Sequence, residues 1–142
     1  MGAQEHRRAD HAPYIAAVSR GIEARDIRVA DVMVTASGDG QRAATLLLRP
    51  DEGAFAERLP REASASWDED NGWSLLVRRE SPASPVYKGL GVVPDPEDLA
   101  VWAVALLAHP ELTPSREDHP LRDHCVADPD FEALLAAYAA AG

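Results

Sequence analysis

The segment Trp67-Asp68-Glu69-Asp70-Asn71-Gly72-Trp73 constrains the fold more than any other stretch of the chain. Asn71-Gly72 supplies the positive φ angles that a tight turn between antiparallel strands requires. A tryptophan on each side suits the half-buried arms of a hairpin. Pairing is therefore antiparallel at the centre of the chain, with arms predicted over 63–68 and 73–79.

The sequence around the hairpin keeps a strand period and is broken by turn residues. Val32 and Val34 alternate with Asp31 and Met33, which predicts a strand over 31–36. Ser37-Gly38-Asp39-Gly40 is a turn signal, and 43–48 is a second, more buried strand. Pro50 to Gly53 breaks the chain again, and Phe55 to Leu59 reads as a helical turn or a loop. After the hairpin, Ser81 to Pro85 is a loop and 86–90 a further short strand.

Helical spacing brackets these strands. Tyr14, Ile15, Val18 and Ile22 form one apolar stripe, predicting a helix over 12–24 with Pro13 in its first turn and Asp10 as a cap. A second helix is predicted over 96–108. Asp95 caps it, Pro96 opens it, and Glu97 and Asp98 complement its dipole. Leu99, Trp102, Ala103 and Leu106 make its core stripe, and Val101, Val104 and Leu107 make it apolar nearly all round, which predicts deep burial. Phe131, Leu134, Leu135 and Tyr138 give a third stripe, over 130–140.

Strands joined by turn-length gaps, with helices at the two ends, predict an α+β two-layer sandwich. It consists of an antiparallel sheet of about five strands with helices packed on one face. Residues 1–10 read as a tail, 11–108 as the domain, 109–129 as a proline-rich acidic linker and 130–142 as a C-terminal helix. With 142 residues, the chain can bury about two-thirds of its unfolded surface as one domain.

The net charge of −10 disfavours nucleic acid and anionic membranes, both of which call for clustered Lys and Arg. The longest apolar run, Leu99 to Ala108, is too short to span a bilayer. Cys125 stands alone, which fits a reducing compartment, and the polar first ten residues do not read as a signal peptide. The expected setting is cytoplasmic.

Three features together resemble a known family. They are the Tyr14-Ile15-Ala16-Ala17-Val18 helix, the W-D-E-x-x-G-W segment from Trp67 to Trp73, and the Pro94-Asp95-Pro96 turn that leads into the apolar helix Leu99 to Leu107. Over about residues 12–108 the chain resembles a domain of unknown function, family 6292 (DUF6292), of high-GC Gram-positive bacteria. The resemblance implies the fold and no activity.

Several constellations bear on chemistry. Asp68, Glu69, Asp70 and Asn71 crowd oxygen ligands on one turn. They are consecutive, whereas a calcium loop alternates its ligands, so the segment reads as a solvated hairpin tip. His119, His124 and Cys125, with Asp118, Asp123 and His109 nearby, offer zinc-type donors. The adjacent Cys125 is a poor second chelate, and the plainer reading is an acidic linker with scattered imidazoles. A nucleophilic Cys125 would need a base aimed at its sulfur, and His124 next to it in sequence normally points elsewhere. Gly89-Leu90-Gly91 lacks the remaining residues of a phosphate loop.

These readings converge on a non-enzymatic accessory or protein-interaction module without a cofactor. Its partner is another protein or a second copy of the chain. Its candidate surface is Trp67, Trp73, Phe131, Leu134, Leu135 and Tyr138. The alternative is a small enzyme or metal-binding protein that uses the His119–Cys125 segment.

Overall fold

The structure is a computed structural model, and it describes residues 9–36, 40–50, 63–77, 86–88, 92–108 and 121–141. The expected turn at 37–39, the break after Pro50, the Phe55–Leu59 segment, the Ser81–Pro85 loop, Gly89–Gly91, His109, Asp118 and His119 lie outside these residues.

Helix α1 spans Ala12–Glu23, with the Ala12 amide donating to Asp10 Oδ1 at 2.9 Å. The strands are β1 (Ile27–Ala36), β2 (Arg42–Pro50), β3 (Ala63–Asp68), β4 (Gly72–Val77) and β5 (Val86–Tyr87). Helix α2 spans Pro96–Ala108, and Asp95 accepts the Glu97 amide at 3.1 Å as its cap. Helix α3 spans Pro129–Ala141. The fold is α+β, with one antiparallel sheet in the order β1-β2-β3-β4-β5. Each strand lies beside its neighbour in sequence, as short connections favour.

The core follows the two periods of the sequence. Ala44, Leu46 and Leu48 of β2, Ala63, Ala65 and Trp67 of β3, and Trp73 and Leu75 of β4 point to one buried face. The stripe Tyr14, Ile15, Val18 and Ile22 of α1 lies in the same core, with Leu99, Ala100, Leu106 and Leu107 of α2 and Phe131 and Leu135 of α3. Gly21 lets α1 come close to the start of α2, because a Cβ there would stand 3.2 Å from the Pro96 carbonyl oxygen.

Several expectations are corrected. The hairpin turn takes its positive φ from Gly72 (78°) alone, and three residues separate the paired Asp68 and Gly72. Trp102 is only half-buried and packs at the margin of the core, while Ala100 and Leu107 lie inside it. Helix α2 is not buried all round, since Val101 is exposed. The small Ala100 and Ala103 face the other elements, so close packing selects them over the bulkier tryptophan. Helix α3 is also no separate appendage, because Phe131 and Leu135 belong to the one core.

Candidate functional site

The two hairpin tryptophans form a register pair on the core face, at 2% and 1% exposure. Each indole N–H finds an acceptor, as a buried indole requires. Trp67 Nε1 donates to the Val92 carbonyl at 2.8 Å, and Trp73 Nε1 donates to Tyr14 Oη at 3.0 Å. Tyr14 in turn donates to the Pro94 carbonyl at 2.9 Å. Burial pushes the Tyr14 phenol well above its ordinary range despite the Trp73 donor, so it stays protonated and the relay stays intact. His11 stacks on Trp67, and its Nε2 lies 2.9 Å from the Ala43 carbonyl and 3.1 Å from that of Thr35. Two carbonyl partners require Nε2 to carry the proton.

These contacts remove most of the expected interaction surface. Trp67, Trp73, Phe131 and Leu135 are buried, and Tyr138 is half-buried with its ring edge on Tyr14 at 4.9 Å. Only Leu134, at 54% exposure, faces solvent. Burial of both tryptophans follows from their pairing, since directly opposed residues share one sheet face and that face is the core.

The hairpin tip is the second correction. It is not solvated: Glu69 is fully buried and Asp70 nearly so. Arg42, at the start of β2, meets Glu69 through Nε (3.1 Å) and Nη2 (2.9 Å), and the Arg42 amide donates to the same carboxylate. Arg42 also meets Glu132 of α3 through Nη1 (2.8 Å) and Nη2 (2.6 Å). Arg122 Nη1 completes the group on Glu69 Oε1 at 2.9 Å. Phe131 lies against both guanidinium groups, with Arg122 Cζ 3.9 Å and Arg42 Cζ 5.4 Å from its ring centroid. The amides of Leu121 and Arg122 both donate to the Asp70 carbonyl. The segment read as a linker is thus fastened at its 121–128 end to the hairpin tip.

Arg42 and Arg122 face Glu69 and Glu132, and Arg122 also lies 3.8 Å from Asp70 and 3.5 Å from Asp128, so carboxylates outnumber guanidinium groups here. Burial alone would raise the Glu69 pKa, but hydrogen bonds from Arg42 and Arg122 overcome it and hold the carboxyl at about 2. Burial would likewise weaken the Arg42 charge, yet Glu132 and Glu69 raise its pKa on balance. Near neutral pH neither Arg42 nor Glu69 has a proton to exchange. The group is a clamp, and its consequence for chemistry is positional.

What it positions is the turn at 123–126. Asp123 Oδ1 accepts the Cys125 amide at 2.9 Å. His124 Nδ1 lies 2.6 Å from Asp70 Oδ2, and Nε2 lies 3.6 Å from Cys125 Sγ. The expectation that His124 points away from its neighbour is overturned, because Asp70 turns the ring. Sequence reasoning had no access to that partner, 54 residues away. It also missed Arg42, although a signal exists. Arg42 shares the inward register of Ala44, Leu46 and Leu48, and a charge at an inward position needs a buried counter-charge.

Two further features complete the surface. A wide cleft of about 680 Å³ lies between α1, the start of α2 and Tyr138, with the Arg25–Glu97 pair (3.5 Å) on its wall. On the sheet, β1 has β2 as its one neighbour among the described residues. Its residues 30–36 are all exposed, including Val32 (42%), Met33 (54%) and Val34 (39%).

The sequence profile of a family of unknown function, DUF6292, matches residues 14–105, from Tyr14 in α1 to most of α2. The chain belongs to this family. The DUF6292 match contains the tryptophan relay, the hairpin, Arg42 and Glu69, whereas Arg122, His124, Cys125 and α3 follow it. No curated protein and no solved structure matches the chain. Among the described residues, no helix is long and apolar enough to cross a membrane.

Proposed function

We propose that this DUF6292 chain is a protein-interaction module whose docking edge is β1. The observation that supports it is the run of exposed residues 30–36 on an edge strand. Val32 and Val34 pair with Leu46 and Ala44, which places them on the core face of the sheet. They are nevertheless exposed, so the apolar face continues beyond the cover of the helices. The bulge between Val29 and Asp31 interrupts the strand, and beyond it the register with β2 is regular. The Val32 amide donates to Asp31 Oδ1 at 2.9 Å, a local bond that an incoming strand displaces at that position. Such an edge receives an extended segment as one more antiparallel strand, with main-chain bonds for affinity and side-chain contacts for selectivity.

The occupant is a strand of another protein. It carries apolar residues to cover Val32 and Val34, and Lys or Arg to meet a chain of net charge −10. The same charge opposes pairing with a second copy. The solitary Cys125 is in keeping with a reducing, cytoplasmic setting.

The test is purification of the native complex from the host, followed by hydrogen exchange of the complex against the free chain. Amides at 31–36 gain protection, and Val32→Lys together with Val34→Lys abolishes binding while the melting temperature holds. A footprint elsewhere, or binding unaffected by both lysines, overturns the assignment. A dimer of the purified chain that dissociates with the same lysines would make the occupant a second copy.

A further inference from the structure

We propose that Asp123, His124 and Cys125 form a site for zinc, with Asp70 as the outer carboxylate that orients the imidazole. One ligand atom from each of the three side chains falls within 4.8 Å of the others. The set, one thiolate, one imidazole and one carboxylate, is the donor chemistry zinc accepts.

The geometry is more specific than the composition. Zn–S and Zn–N bonds of about 2.3 and 2.0 Å at a tetrahedral angle place sulfur and nitrogen about 3.5 Å apart. Cys125 Sγ and His124 Nε2 stand 3.6 Å apart. The Cys125 amide holds Asp123 Oδ1 beside them at 2.9 Å.

The second independent observation is the ring's other nitrogen. A ligating histidine commonly gives its remaining N–H to a carboxylate, which fixes the tautomer and the ring plane. Asp70 Oδ2 receives His124 Nδ1 at 2.6 Å, and Asp70 is itself buried. It is held from two further sides. Gln41 Nε2 lies 3.1 Å from the same oxygen, and Arg122 Nη1 lies 3.8 Å from Oδ1. With the proton on Nδ1, Nε2 presents its lone pair on the side of Cys125. Asp123 and Cys125 are exposed, so an ion held here keeps one coordination position open to water.

The experiment uses the full chain under reducing conditions, titrated with zinc and separately with cobalt(II). The site takes up one equivalent, and cobalt gives a sulfur-to-metal charge-transfer band that Cys125→Ser removes. Asp70→Asn weakens zinc about 10- to 100-fold, the loss expected for an outer-shell carboxylate. His124→Ala weakens it at least as much, and Cys125→Ser, at an exposed position, serves as the check if Asp70→Asn impairs folding. Thermal melts show that each variant used is folded. Zinc uptake that persists unchanged in Cys125→Ser, or a folded wild-type chain that binds no metal, overturns the proposal. Rapid thiol alkylation without metal uptake overturns it in favour of a reactive cysteine.

Discussion

Glu69 is the residue on which most of the C-terminal architecture turns. It is fully buried, it receives both Arg42 and Arg122, and its main-chain carbonyl takes a further Arg122 bond at 3.0 Å. Removing one partner of a buried ion group strands the others, so Glu69→Gln is expected to destabilise the fold by about 3–5 kcal/mol in urea denaturation. The acid limb carries the same signature. A carboxyl whose folded pKa is depressed stabilises the native state above its unfolded value. That stability is lost as pH falls between the ordinary 4.5 and about 2. Wild-type stability therefore drops across that window, and Glu69→Gln has a shallower profile there. Tyr14 makes a second, independent test. Its hydroxyl is both acceptor for Trp73 and donor to Pro94, so Tyr14→Phe leaves the buried Trp73 N–H without its acceptor and the half-buried Pro94 carbonyl without its donor. The expected loss is about 1–3 kcal/mol by thermal or chemical melting, more than a phenylalanine in a dry pocket would show.

At the scale of elements, α3 and the segment before it are fastened by the clamp and by apolar contact together. Phe131 and Leu135 enter the core, and Glu132 binds Arg42 and the Ala9 amide (2.7 Å). A truncation after Ala108 removes Arg122 and Glu132, and with them the Arg122 bonds to Glu69 and the Glu132 bonds to Arg42. It is expected to lower the melting temperature sharply or to prevent folding, as read by circular dichroism. A truncated chain with the wild-type melting temperature would show that α3 adds nothing to the domain. Much of this architecture was legible in the sequence, for physical reasons. The stripe of α1, the cap Asp95, and the alternation of β2 and β3 are local patterns, and local patterns report local structure. The destination of Phe131 and Leu135 was not legible, because an amphipathic helix states that it needs cover without stating whose. The hairpin tip misled for a related reason. Asp68-Glu69-Asp70-Asn71 reads as solvated wherever its counter-charges are distant in sequence, and Arg122 lies 53 residues from Glu69. The candidate site at 123–125 was visible as donor chemistry, but Asp70, which orients it, was not.

At the scale of the whole molecule, one domain carries two contrasting margins. The edge bearing Arg42, Glu69 and Asp70 is closed by the C-terminal segment. The β1 edge is open and carries Val32, Met33 and Val34 to solvent. The family match ends at residue 105, so the closure is supplied by sequence beyond the matched region. Val32, Val34 and the outward side of β1 lie within it. Closure and opening make opposite demands on backbone protection, and amide exchange measures that protection residue by residue. The most direct test is native-state hydrogen exchange on the free full-length chain. Amides of α3 are expected to exchange only with global unfolding, at the rate of the central strands β2 and β3. The outward amides of β1 over 31–36 are expected to exchange orders of magnitude faster. Rapid exchange throughout α3, or protection of the whole of β1 equal to that of β2, would contradict the account.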